Sequence, residues 1–189
     1  MCIRDRLYFD TETTGLTYRS TIIQLAAIIE IDGEVKETVN LYSAPFPDSD
    51  ISEEALAVTK LTREEIFRFD SPQLTCEMFT QILGKYVDKY NKNDKFTAVG
   101  HNVKFDLDML RNWAYRCNEK FIASYIDFKN EFDTLAFTKC LKILGRLPQT
   151  ENNKLETLCE AFQIPLENAH NALADAIAAR NLYYYLQNK

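Results

Sequence analysis

Phe9-Asp10-Thr11-Glu12-Thr13-Thr14-Gly15-Leu16 sets two carboxylates two residues apart, directly after an apolar run and directly before a Thr-Thr-Gly turn. Alternate side chains of a β-strand share one face. Asp10 and Glu12 are therefore expected to project side by side from a strand that ends in a tight turn. Two like charges held that close repel each other unless a cation lies between them. Hard oxygen ligands of this kind suit Mg²⁺ or Mn²⁺, so the segment predicts a divalent-metal site at the end of a first strand.

The rest of the chain bounds what such a site can serve. A length of 189 residues suits one domain, and a 46% hydrophobic content supports a sizeable core without disulfides or structural metal. The five cysteines are scattered, with no C-x-x-C pair, which fits reduced, mostly buried thiols. A net charge of −6 argues against a protein that coats a duplex by neutralising phosphates. It leaves room for an enzyme that grips a short nucleic-acid end through bound metal ions. The longest apolar run, Ile22 to Ile31, is interrupted by Gln24 and Glu30 and falls short of the roughly 20 residues of a membrane helix. With no secretory signal visible, the expectation is a soluble, cytoplasmic protein with no membrane partner. No repeat or linker divides the chain, so residues 1–189 are expected to form a single domain. Met1 to Arg6 is polar where a central first strand should be apolar. Those six residues are expected to be non-native or disordered, or else to precede a strand that begins near Leu7.

Periodicity places the elements. Leu7 to Asp10 ends a first strand. Thr21 to Ile31 reads as a largely buried strand. Asp32-Gly33 turns it into Val35 to Tyr42, which alternates apolar and polar. Ser52-Glu53-Glu54-Ala55 does not complete a capping box, whereas Thr62-Arg63-Glu64-Glu65 does and predicts a short helix. Further helices are expected over Pro72 to Tyr90, Phe105 to Cys117, Thr134 to Leu144, Lys154 to Phe162 and about His170 to Leu186. Thr97 to Gly100 reads as a short strand, and Phe128 to Thr134 as a last strand or its loop. A meander followed by alternating helices and strands implies an α/β fold with a mixed sheet.

Two further segments bear on the metal site. In Gly100-His101-Asn102-Val103-Lys104-Phe105-Asp106 a strand runs into a helix with Asp106 in its first turn. An acid there is favoured by free N–H groups and the macrodipole alone. Asp108 lies roughly 200° round the helix from Asp106 and is expected to be solvated. In Ala169-His170-Asn171-Ala172-Leu173-Ala174-Asp175-Ala176, five helical steps separate His170 from Asp175 by about 140°. His170 therefore belongs at or before the helix start and Asp175 one turn in. The chain has two histidines, so a catalytic one is His101 or His170. An imidazole, with an ordinary pKa of about 6.5, suits proton removal from water near neutral pH.

Taken in order, D-x-E-T-T-G-L, G-H-N-x-x-F-D and A-H-x-A-L-A-D-A resemble the DEDDh family of 3′–5′ exonucleases. That family includes the polymerase III epsilon proofreading subunit, the exonuclease domains of Gram-positive replicative polymerases, RNase T and oligoribonuclease. Asp133-Thr134-Leu135 resembles the family's D-T-L segment. Lys154-Leu155-x-x-Leu158-Cys159-x-x-Phe162-x-Ile164 resembles the stretch leading into the histidine motif. The similarity runs from about Leu7 to about Tyr185. It implies an RNase H-like α/β fold with a five-stranded mixed sheet flanked by helices. It also implies two Mg²⁺ or Mn²⁺ ions and release of nucleoside 5′-monophosphates. The implied catalytic set is Asp10, Glu12, Asp106, His170 and Asp175, its four carboxylates being the metal ligands and His170 the general base. The resemblance further implies that backbone N–H groups of Thr13 and Thr14 meet the terminal nucleotide. Leu16 would pack on a base, and Asn102 and Phe105 would line the groove. Asn171 stands where relatives often carry Arg, leaving one fewer positive charge for phosphate.

The remaining features are read plainly. Tyr183-Tyr184-Tyr185 is expected to pack on the sheet rather than stack bases, and Lys85, Lys89, Lys92 and Lys95 to form a solvated face. The expected activity is metal-dependent 3′–5′ exonucleolysis at single-stranded or frayed DNA ends, in a free-standing enzyme or a subunit docked on a polymerase. The rival readings are an exoribonuclease on short RNA, with the same residues, and a nucleic-acid-binding module without catalysis.

Overall fold

The computed structural model describes residues 5–189. Five strands and eight helices follow in the order β1 (Asp5–Thr13), β2 (Ile22–Ile31), β3 (Glu34–Tyr42), α1 (Glu53–Thr59), α2 (Arg63–Ile66), α3 (Pro72–Leu83), β4 (Phe96–Gly100), α4 (Val103–Arg116), α5 (Ile122–Tyr125), β5 (Ile126–Asp133), α6 (Thr134–Ile143), α7 (Leu155–Phe162) and α8 (Ala172–Gln187). They build the expected mixed sheet of five strands, in the order β3-β2-β1-β4-β5. β1 pairs antiparallel with β2 and parallel with β4. No described helix is long and apolar enough to cross a membrane.

The two-residue alternation of β1 divides the molecule. Leu7 and Phe9 enter the main core with Leu25, Ala27 and Ile29 of β2, Phe79 of α3, and Leu110 and Trp113 of α4. Tyr8 and Asp10 face the other way, where α8 lies across β1 and β2. Ala26, Ala172 and Ala176 are fully buried together, and small residues there let helix and sheet approach closely. Gln24 reinforces the contact: its Oε1 accepts from Ala172 N–H at 3.2 Å while its Nε2 donates to Asn40 Oδ1 at 2.9 Å. The sheet thus carries an apolar layer on one face and a helix bearing polar groups on the other.

Two expectations change, and α1 forms where the sequence placed no helix. β1 begins at Asp5, not near Leu7, because the polarity of Arg6 is answered across the strand pair: its guanidinium bonds Glu30 at 2.7 Å. Asp5 and Arg6 are therefore ordered strand residues, while residues 1–4 lie outside the described residues. α3 stops at Leu83 rather than running to Tyr90. Gly84 caps it, and its N–H bonds carbonyls of the last turn. Tyr86 and Val87 still pack on the core from the turn beyond. α1 forms without a capping box: Ser52 Oγ accepts from Ala55 N–H, and Glu54 accepts from the Ser52 hydroxyl.

The plain readings hold in part, since Tyr185 packs on α7 rather than the sheet and Lys89 and Lys95 are half-buried. Tyr183 packs edge-on against Tyr8 and Phe132, and Tyr185 stacks on Phe162. Lys85 pairs with Glu37, Lys95 donates to Ala123 O, and Asp108 is exposed beside Lys104.

Candidate metal and active centre

β1 ends where α8 begins. Asp10, Glu12 and Asp175 each offer a carboxylate oxygen, and these oxygens all lie within 4.8 Å of one another. Asp10 and Glu12 meet there because they share the α8 face of β1. Asp175 arrives in the first turn of α8, which Asn171 caps by accepting from Leu173 and Ala174 N–H groups. Among the described residues, no lysine or arginine lies within ion-pair distance of the three.

Asp106 comes from the opposite side of the sheet. It is buried in the first turn of α4, and its Oδ1 accepts from both Thr11 N–H (3.0 Å) and the Thr11 hydroxyl (2.7 Å). Thr11, whose side chain faces away from Asp10 and Glu12, anchors this acid through one carboxylate oxygen. Gly100 lets the two strands bearing these motifs meet: a Cβ there would stand 2.7 Å from the Phe9 carbonyl and 2.9 Å from Val103 Cβ.

The electrostatics of the four acids point one way. Burial, then Asp106, Asp175 and Glu12 in turn, push Asp10 well above the usual carboxylate range. Burial with Asp175 and Asp106 pushes Glu12 up to about 8. Burial carries Asp106 up to about 7 against the two Thr11 hydrogen bonds. Burial also raises Asp175, against the His170 backbone N–H that donates to its Oδ2 at 3.0 Å. Each acid resists ionisation, Asp10 and Glu12 in part because of the neighbouring acids, and a divalent cation among them relieves that repulsion. An oxygen-only donor set without an internal counter-charge fits Mg²⁺ or Mn²⁺ chemistry.

The histidines part company. His101 is spent within the fold: Nδ1 bonds the Thr134 hydroxyl at 3.0 Å and Nε2 bonds the Asn153 carbonyl at 2.8 Å. His170 is exposed, with φ at 66°, in the loop before α8. It lines a cleft of about 690 Å³ together with Asp10, Asp175, Asn102, Lys139 and Lys154. The structure therefore puts His170, not His101, in the open beside the acids.

The expected nucleotide contacts are placed unevenly. Leu16 is 84% exposed just past the strand end, Asn102 is exposed on the cleft, and Phe105 is half-buried against the main core. Thr14 departs from its expected role. Its N–H already donates to Thr21 O at 2.9 Å, its hydroxyl to Asp50 O at 2.6 Å, and its carbonyl accepts from Ser52 N–H. The turn uses these groups to hold itself, so the Thr14 N–H is not left for a ligand. The Thr13 hydroxyl likewise donates inward, to Gly15 O. Sequence reasoning missed the far wall of the cleft, formed by Lys139, Asn152, Asn153 and Lys154. Nothing in their spacing signals it, since the wall exists only where α6 and the loop before α7 fold back on His101.

A profile of the RNase_T exonuclease family matches residues 7–183. The PolC-type DNA polymerase III of Latilactobacillus sakei is 31% identical over 184 residues, 96% of this chain and 11% of that protein. The corresponding polymerase of Bacillus subtilis is 31% identical over 180 residues, 92% of this chain and 11% of its own. The chain thus spans about a ninth of the length of these relatives. Among solved structures, E. coli exonuclease I in complex with a dT13 oligonucleotide superposes with a TM-score of 0.79 at 23% identity, over 97% of this chain and 40% of that one. A zinc-bound complex of the same enzyme with single-stranded DNA gives 0.78 at 23% identity, over 98% and 43%. The mixed sheet flanked by helices is the RNase H-like exonuclease fold.

Proposed function

The chain belongs to the RNase_T exonuclease family, and from that premise we propose that it is a metal-dependent 3′–5′ exonuclease acting on single-stranded or frayed DNA ends. The observation that carries this reading is the Asp10–Glu12–Asp175 cluster, three carboxylates within 4.8 Å and without an internal cation. These three, with Asp106 held by Thr11, would bind two Mg²⁺ or Mn²⁺ ions. Bound divalent cations lower the pKa of water and stabilise the oxygen that leaves a phosphodiester.

The chain's own residues do the rest. His170 stands exposed on the cleft and takes the proton from the attacking water. Its backbone N–H on Asp175 ties the base to a metal ligand, so the position of one sets the position of the other. Leu16, exposed past the strand end, packs on the terminal base. Asn102, whose N–H is anchored to Asp133 Oδ1 at 2.9 Å, presents its amide to the groove. The reaction breaks the P–O3′ bond of the terminal linkage and releases a nucleoside 5′-monophosphate. The matching segments of the relatives belong to DNA polymerases. That favours DNA over RNA and favours ends that a polymerase leaves.

Oligomers of equal sequence in DNA and RNA, labelled at the 5′ end and incubated with Mg²⁺, Mn²⁺ or EDTA, test the proposal. A ladder shortening from the 3′ end of DNA, abolished by EDTA, is expected. Faster loss of RNA would replace DNA by the exoribonuclease reading. No metal-dependent degradation of any oligomer would leave the binding-module reading.

A further inference from the structure

The two walls of the cleft differ in charge, and the mechanism above uses only one of them. Asp10, Asp175 and His170 stand on one side. Lys139 of α6 and Lys154, the residue before α7, stand on the other, both exposed and both without an ion-pair partner among the described residues. Glu156 lines the same cleft and adds to the acidic side, since its charge raises Asp175.

The wall between the lysines is built rather than loose. Asn153 Oδ1 accepts from the Lys142 ammonium at 2.7 Å, and Asn152 Oδ1 accepts from Lys154 N–H at 2.9 Å. The Asn153 carbonyl is taken by His101 Nε2 at 2.8 Å. Lys142, buried beneath the loop, also bonds the Thr150 hydroxyl. The oxygen ends of both amides are thus consumed internally, and their NH₂ ends are left over. Two ammonium groups and two carboxamide NH₂ groups are left as donors among the residues that line the cleft. In a chain of net charge −6, that concentration lies on the cleft that Asp10 and Asp175 line.

Building on the exonuclease reading, we propose that Lys139 and Lys154, with the amides of Asn152 and Asn153, form a subsite for a backbone phosphate adjacent to the scissile one. The acidic wall then works on the bond that breaks, while the basic wall grips a neighbouring linkage that does not. The subsite selects a polyanionic strand over a mononucleotide and registers it against the acids.

The test is the salt dependence of kcat/KM on a DNA oligomer, for the parent and for K139A/K154A. Each phosphate contact to a single strand contributes about 0.7 to the slope of log affinity against log salt. The double variant should lose about 0.7 of that slope, the share of one phosphate, with KM raised about tenfold and kcat little changed. K139R/K154R should restore both. K92A, at an exposed lysine outside the cleft, should behave as the parent. Oligomers carrying one neutral methylphosphonate linkage locate the subsite: one position next to the scissile bond should impair the parent and leave K139A/K154A no worse. An active parent with an unchanged slope in K139A/K154A would overturn this subsite alone. A parent that degrades nothing in Mg²⁺ or Mn²⁺ would overturn the exonuclease reading and the subsite with it.

Discussion

One face of the sheet carries two carboxylate systems under the same helix, one half-buried and one buried, and they are opposites. At one end of β1, α8 delivers Asp175 to Asp10 and Glu12, and among the described residues no lysine or arginine pairs with them, the His170 backbone N–H being the donor to Asp175. At the other end α8 delivers Arg180 and Tyr184 to Glu30. There the carboxylate accepts from Arg6 at 2.7 Å, Tyr8 at 3.1 Å, and Arg180 through Nε at 2.9 Å and a terminal NH₂ at 2.7 Å, as well as from the Tyr184 hydroxyl. The titration behaviour divides accordingly. Burial raises all three acids, with repulsion from neighbouring carboxylates added at Asp10 and Glu12 and from Glu156 at Asp175. Burial would raise Glu30 too, but hydrogen bonds from Tyr184, Arg180 and Arg6 outweigh it and hold that carboxyl below its ordinary value. A carboxylate that serves the fold has its counter-charges built in. One that serves a cation leaves them out, and the fold tolerates the repulsion as the condition of the site.

The sharpest way to break this contrast is to neutralise one member of each system. Asp10→Asn should lower the rate of DNA degradation by about 10³-fold or more, several kcal/mol of transition-state stabilisation. It should also raise the melting temperature of the metal-free protein, because a repelling charge is gone. His170→Ala should lower kcat by roughly 10²- to 10⁴-fold and leave Mg²⁺ binding, measured by calorimetry, intact. Glu30→Gln should do the reverse of Asp10→Asn. It weakens the partners of two arginines and should destabilise the fold by about 3 kcal/mol in urea melts, with activity per folded molecule retained.

The pH dependence of that destabilisation sharpens the point further. A folded pKa below the unfolded one contributes stability that is present above the unfolded value, here near 4.5, and is lost as pH falls through the folded value. The gap between the parent and Glu30→Gln in urea melts should therefore be full at pH 7 and close progressively below pH 4.5. A gap that widens in acid would mean that Glu30 is not ionised in the fold.

Much of this was legible in the residues, and the reasons are local. Asp10 and Glu12 share a face because strands alternate. Asp175 lies one turn into α8, and the meander, β4 and the major helices follow from hydrophobic period. What escaped depends on contacts far apart in the chain. Arg6 looked foreign to a strand until Glu30, 24 residues on, stood opposite it. The run to Tyr90 kept a helical pattern past Gly84, yet the chain turned there. Thr14 offered an N–H on paper, and Thr21 had already taken it. Asp106 reaches the acids from the other face of the sheet, held by Thr11, which no spacing rule encodes. The basic wall came from a loop with no periodic signal at all.

The central claim is that the unsatisfied acids are a metal centre while the satisfied one is not. Thermal melts of the parent, Asp10→Asn and Glu30→Gln, each with and without saturating Mn²⁺, test it most directly. Ligand at about 100 times Kd adds roughly 2.7 kcal/mol to the folded state, or about 5–10 °C for a chain of this size. The parent and Glu30→Gln should both gain that shift, and Asp10→Asn should lose most of it. A parent that gains nothing, or an Asp10→Asn protein that gains as much as the parent, would contradict the account.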